Sequence, residues 1–133
     1  FVFGILNSGH TVDEARNREL VELAEEIPCT FHRAIDRTPD LEAAIQKIIE
    51  IGFKSVLTSG GKSSAMEGKE QLKNLVEKYS DQIEILIGGG VRSNNISELK
   101  NYTNGTSFHS SAIPSYEQFA NEDEIKKLKS RIS

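Results

Sequence analysis

The sequence has no tryptophan, one cysteine (Cys29), one methionine (Met66) and three prolines among its 133 residues. A single thiol excludes an internal disulfide framework and any thiolate cluster for structural zinc. One thiol and one thioether also leave few soft ligands for Cu(I). No run approaches the ~18 consecutive apolar residues of a membrane-spanning helix. Positive charge is not in excess: 16 basic residues stand against 20 acidic ones, a net charge of −4. That balance gives no electrostatic footprint for nucleic acid or for an anionic membrane. No basic-then-apolar leader opens the sequence, so the expected compartment is the cytoplasm. The composition itself, 37% hydrophobic and 27% charged, is that of a folded globular chain and not a disordered one.

What the sequence does contain is a repeat. Short runs rich in Val, Ile and Phe occur at Phe1–Leu6, Cys29–Ile35, Ser55–Ser59, Ile83–Ile87 and Ser107–Ala112, with starts recurring every ~27 residues. They are strand-sized, and Ile83–Ile87 is apolar at nearly every position, as a strand covered on both faces would be. Helical periods separate them. Leu41, Ala44, Ile45, Ile48 and Ile49 form one stripe, ended by Gly52; Leu72, Leu75, Val76 and Tyr79 form another. Leu20, Leu23, Ala24 and Ile27 form a third, Ile125, Leu128 and Ile132 a terminal one, and a shorter helix is predicted around Ile96 and Leu99. Thr11…Glu14, Ser64…Glu67 and Asn121…Glu124 have capping-box spacing, and Thr38-Pro39 places proline at a first helical position.

The pattern predicts an α/β fold of five βα units on a parallel sheet, either an open doubly wound sheet or part of a (β/α)₈ TIM-type barrel. No Gly-x-Gly-x-x-Gly follows the first strand, which disfavours a dinucleotide fold. Eight units of ~27 residues would give ~215, within the range of a barrel. Residues 1–133 are therefore expected to form one partial barrel domain, with about three units ahead of Phe1.

In parallel α/β folds ligands bind at the carboxyl ends of the strands, and there the unusual residues fall. The second strand runs into His32-Arg33-Ala34-Ile35-Asp36, the third into Thr58-Ser59-Gly60-Gly61, the fourth into Gly88-Gly89-Gly90-Val91-Arg92, the fifth into His109-Ser110-Ser111. Bare glycine backbone ahead of a helix offers amides and a positive dipole end to an anion. Thr58, Ser59, Gly60, Gly61, Gly88, Gly89, Gly90, Ser110 and Ser111 are accordingly candidate anion ligands; the plain alternative is tight turns and close strand–helix packing. His32 and Asp36 are candidates for acid–base work, with His109 able to join them from another strand end. The plain alternative is a filled polar layer in which Arg33 pairs with Asp36. Cys29 opens its strand at the remote end and reads as a small buried hydrophobe, Met66 as packing, and the acid-rich stretch Glu14–Glu26 as a solvated outer helix face. No metal-ligand set stands out.

The strings Cys29-Thr-Phe-His-Arg-Ala-Ile-Asp36, Val56-Leu-Thr-Ser-Gly-Gly61, Gly88-Gly-Gly-Val91 and Phe108-His-Ser-Ser-Ala112 together resemble the copper homeostasis protein CutC family. The opening Phe1-Val-Phe-Gly-Ile-Leu6 is similar to a mid-barrel strand of that family. The resemblance covers Phe1 to Ala112. It implies a (β/α)₈ barrel, cytoplasmic, copper-binding and associated with copper tolerance, often a homo-oligomer, whose usual copper ligands lie on strands ahead of this segment. His32, Arg33, Asp36, Thr58, Ser59, Gly89 and His109 match its motif positions.

Three functions compete on this reading. The chain is a copper-handling binding protein, a barrel enzyme acting on a small phosphorylated or carboxylated substrate at its strand ends, or a partial barrel whose first and last strands are exposed edges that pair with further copies.

Overall fold

A computed structural model describes residues 1–133. Five strands alternate with five helices: β1 (Val2–Phe3), α1 (Glu14–Leu23), β2 (Thr30–Phe31), α2 (Leu41–Ile51), β3 (Ser55–Thr58), α3 (Lys69–Tyr79), β4 (Glu84–Ile87), α4 (Ile96–Thr103), β5 (Ser107–Phe108) and α5 (Glu122–Ile132). All neighbouring strands are parallel and their order is β1-β2-β3-β4-β5. A doubly wound sheet reverses direction at a switch point; this sheet steps one way only, as the arc of a (β/α)₈ barrel does. The strand order decides between two architectures that composition could not separate.

The helices cover one face of the arc. Ile45 and Ile48 of α2, Leu72 and Leu75 of α3, and Ile96 and Leu99 of α4 form one core with Val56, Ile85 and Ile87 of the sheet. Leu57 and Leu86 pair across β3 and β4, point to the opposite face by strand alternation, and are only half-buried. The fourth strand is thus covered on one side within this chain, not on both as its composition predicts. The Leu41–Ile49 and Leu72–Tyr79 stripes pack as expected, and Gly52 ends α2 in the left-handed conformation. The Leu20–Ile27 stripe does not pack: Ala24 is buried, whereas Leu23 stays 72% exposed. At the far end, Leu128 alone of its stripe is buried.

Several boundaries move, each for a local hydrogen-bonding reason. The second strand stops at Phe31, not Ile35. His32 accepts the Ala34 amide at Nδ1 (3.2 Å) and caps a 3₁₀ turn over Arg33–Arg37, so His32 and Ala34 do not share a strand face. Leu6 lies outside β1 and makes only an isolated antiparallel bridge to Val12. Asp13 and Asp40, not Thr11 and Thr38, cap α1 and α2 by accepting the amides of Arg16 and Ala43; Pro39 precedes the cap instead of opening the helix. The Ser64…Glu67 contact forms (3.2 Å) but closes a single turn, in which the free Ala65 amide donates to the Gly89 carbonyl (2.8 Å). Helix α3 therefore begins at Lys69, and α4 at Ile96 instead of near Ser93. Asn121 caps α5 as expected.

Candidate functional site: a strand-end anion cleft

The register sets the ends of β3, β4 and β5 side by side: Thr58 pairs with Ile87, and Ile87 with Phe108. The ladder continues past each end, with Gly88 donating its amide to the Thr58 carbonyl (3.0 Å) and His109 to that of Ile87 (2.8 Å). The loops that follow are therefore neighbours.

The loop after β3 is filled by the chain's own carboxylate. Asp36 Oδ1 accepts the Thr58 hydroxyl (2.6 Å), the Ser59 amide (3.1 Å) and the Gly61 amide (3.0 Å). Its Oδ2 accepts the Arg33 Nε–H (2.9 Å) and faces the Ser59 hydroxyl (2.9 Å). The Asp36 side chain is 7% exposed. The Gly60 amide turns back to the Thr58 hydroxyl (2.9 Å). Thr58, Ser59, Gly60 and Gly61 thus form an anion-binding loop, as their composition anticipates, but the anion that they hold is Asp36. With its lone pairs engaged and its surroundings closed, Asp36 acts on Arg33 rather than on a solvent-borne ligand.

The loop after β4 is different. Gly88 is buried and its amide is used in the ladder, while Gly89 and Gly90 have positive φ of 103° and 71° and their amides donate to no group of the chain. They border a cleft of about 180 Å³ lined also by Arg33, Leu57, Arg92, His109, Ser110 and Ser111. Arg33 is anchored at Nε by Asp36 and through Nη2 by the Ser59 hydroxyl (2.7 Å). That places its Nη1 over Gly89, 3.1 Å from where a Cβ would stand. Arg92 is held by the carbonyls of Ile113 (2.9 Å) and Val91 (2.7 Å) and reaches the Ser111 hydroxyl with Nη2 (2.9 Å). Ser110 donates to the Val91 carbonyl, so it shapes the wall, whereas Ser111 and His109 are exposed. Two held guanidinium groups, two undonated amides and a hydroxyl thus line one small concavity, a set of donors whose chemistry suits a phosphate or a carboxylate.

Not every candidate converges there. His32 lies off the cleft, its Nδ1 capping the 3₁₀ turn and its ring edge-on to Phe31. His32, Asp36 and His109 do not form one constellation, and no three His, Cys, Asp or Glu side chains come together anywhere in the chain. Arg33 and Arg92 are not singled out as anion ligands by the sequence pattern, although each stands two residues past a strand end or a glycine run, and that proximity is the signal. On the outer side of the same loop, Glu124 of α5 accepts the Ser93 amide (2.6 Å) and hydroxyl (2.7 Å). The amide bond chiefly, and the hydroxyl with it, holds this carboxyl below the ordinary carboxylate range against the opposing effect of burial.

Residues 1–114 match the family model described as the CutC family. The chain belongs to the CutC family. It is 38% identical over 112 residues to the copper homeostasis protein cutC homolog of Caenorhabditis elegans, covering 84% of this chain and 45% of that protein. It is 37% identical over 111 residues to the human homolog, covering 84% and 41%. The crystal structure described as that of the CutC copper homeostasis protein of Streptococcus agalactiae superposes with a TM-score of 0.76 at 30% identity, over 81% of this chain and 53% of that one. A structure described as native KDPGal, at 13% identity and a TM-score of 0.55, shares the fold alone. This CutC-family chain thus spans about half the length of its relatives. Their names raise copper, and its donor set does not fit a copper ion. Cys29 is buried among apolar neighbours with its thiol towards the Ile27 carbonyl (3.5 Å), Met66 packs against the core, and no group of three or more His, Cys, Asp or Glu side chains that could hold a metal ion forms.

Proposed function

We propose that residues 1–133 form five of the eight βα units of a cytoplasmic copper-homeostasis barrel whose ligand site is the strand-end cleft, and that this site binds a small phosphorylated or carboxylated molecule. The observation that carries the reading is the pair Arg33 and Arg92, each held by the chain's own acceptors and both lining the cleft with Gly89 and Gly90, whose amides donate to no group of the chain. Preorganised donors of this kind lose little freedom when a ligand arrives. Asp36 is a positioning residue in this reading, and His109, on the exposed rim, is the one titratable group placed to exchange a proton with a bound ligand. Gly89, Gly90 and Ser111 complete the ligand shell. Copper handling, on the same reading, draws on parts of the barrel beyond Phe1–Ser133, since soft ligands are not assembled here.

Calorimetric titration with inorganic phosphate at low ionic strength tests the cleft. Binding should weaken at least tenfold in both Arg33→Gln and Arg92→Gln, in line with about 1.5–3 kcal/mol for a charge-assisted hydrogen bond. No heat with the unaltered chain, or equal affinity in all three proteins, would overturn the assignment.

A further inference from the structure

The cleft alone is small for a ligand site, since such sites usually enclose ~300–1,000 Å³. It does not end at Arg92. On the other side of that side chain lies a groove of about 390 Å³ that shares Gly90 and Arg92 with the cleft. Its walls come from the segment after β5 and from the start of α5, and Ile113 and Pro114 supply apolar surface. Tyr116 stands on the rim with 83% of its surface exposed. Beside Arg92, its polar lining is Ser93, Asn94, Ser115 and Glu124. The family match ends at residue 114, so Tyr116 and Glu124 belong to the part of this chain outside it.

We propose that this groove is a sugar subsite, and that the cleft's ligand is a phosphate monoester of a hydroxylated ring. The inference rests on the anion reading of the cleft and extends it. An aromatic ring left open to solvent beside a polar pocket offers a flat apolar platform with a hydroxyl handle, which suits the C–H face of a sugar. Asn94 and Ser115 can donate to and accept from ring hydroxyls, and a carboxylate only accepts. Glu124 therefore favours hydroxyl groups and repels a second anion. Charge thus sorts the two halves: the phosphate goes between Arg33 and Arg92, and the neutral, hydroxylated remainder goes past Arg92 onto Tyr116.

The test is calorimetric titration of the full chain with inorganic phosphate, glucose 6-phosphate and ribose 5-phosphate, repeated in Tyr116→Ala. Tyr116 is 83% exposed, so its removal should leave folding intact. At least one sugar phosphate should bind tenfold or more tightly than inorganic phosphate. Tyr116→Ala should bring that affinity to within about twofold of phosphate while leaving phosphate itself unchanged. Sugar phosphates no tighter than phosphate would overturn the subsite and leave the anion cleft standing, as would a Tyr116→Ala variant that weakens all three equally. Failure of the unaltered chain to bind any of the three would overturn both.

Discussion

Two neighbouring glycine loops, Thr58–Gly61 and Gly88–Ser93, start from nearly the same chemistry and end in opposite states. Both leave the carboxyl end of a parallel strand, and both turn glycines to positive φ. The first wraps its amides and hydroxyls around Asp36, 22 residues or more away in sequence, and closes. The second meets a carboxylate only on its outer side, where Glu124 takes Ser93, and leaves the Gly89 and Gly90 amides undonated beside a cleft that two arginines also line. An amide-rich loop is therefore a site only where no side chain of the same protein has already supplied the anion. The closed loop is not idle, since its Asp36 fixes Arg33 for the open one.

Asp36→Ala breaks the comparison most severely. It strips the Thr58 hydroxyl, two amides and Arg33 of their acceptor in a nearly closed environment. The Arg33 side chain is 38% exposed and can turn to water, so the cost falls on the unsatisfied Thr58 hydroxyl and amides, about 3 kcal/mol, to be read from urea denaturation. Asp36→Asn keeps the shape and should cost less, while lowering phosphate affinity through a loosened Arg33. A variant as stable as the parent would mean that the loop after β3 is held by its turn geometry alone.

The glycines sharpen the contrast. A Cβ on Gly60 (φ 74°) would stand 2.5 Å from the Gly68 carbonyl oxygen, and backbone cannot swing aside. A Cβ on Gly89 (φ 103°) would meet the Ser59 Cβ at 3.0 Å and the Arg33 Nη1 at 3.1 Å, the latter the end of a flexible side chain. Gly60→Ala should therefore cost about 2–3 kcal/mol of stability with phosphate affinity retained in the folded fraction. Gly89→Ala should cost about 1–2 kcal/mol and weaken phosphate about tenfold by displacing the guanidinium. Thermal unfolding and phosphate titration on both variants separate the two loops; the opposite ranking would reverse their roles.

Much of this contrast was legible before the fold and some was not, for physical reasons. The βα repeat, the strand-end position of the polar residues and the two glycine loops follow from periodicity, which is a local property. That Thr58–Gly61 is satisfied by Asp36 depends on a pairing between successive units, and no local pattern distinguishes it from Gly88–Gly90. The plain pairing of Arg33 with Asp36 is present, and it turns out to orient Arg33 toward the cleft. A second strand continuous over Cys29–Ile35 would carry His32 into the barrel mouth; instead its own Nδ1 caps the turn that follows Phe31. The Leu20–Ile27 stripe has the right period, yet period says which face is apolar and not whether a partner covers it, and Leu23 remains exposed.

The smallest effect expected is at Glu124, and it tests whether the outer side of the open loop is independent of the inner. The Ser93 amide holds this carboxyl below its ordinary value of 4.5. A depressed folded value means that the stabilisation is complete above the unfolded value and is lost as pH falls through the lower, folded one. Glu124→Gln should then cost about 1 kcal/mol at pH 7, after allowance for solvent screening of a rim group, seen as a small shift in the urea midpoint. The gap between parent and variant should narrow once the pH drops below 4.5, because protonation removes from the parent what the substitution removes from the variant. A gap that stays constant across that window would show that packing of α5, and not the charge on Glu124, secures the contact. Phosphate affinity should not change in either case: Glu124 lines the groove beyond Arg92, and the amides proposed to take the anion belong to Gly89 and Gly90. If Glu124→Gln instead tightens phosphate binding, the Glu124 charge reaches the cleft through Arg92, and the two sides of the loop act as one electrostatic unit.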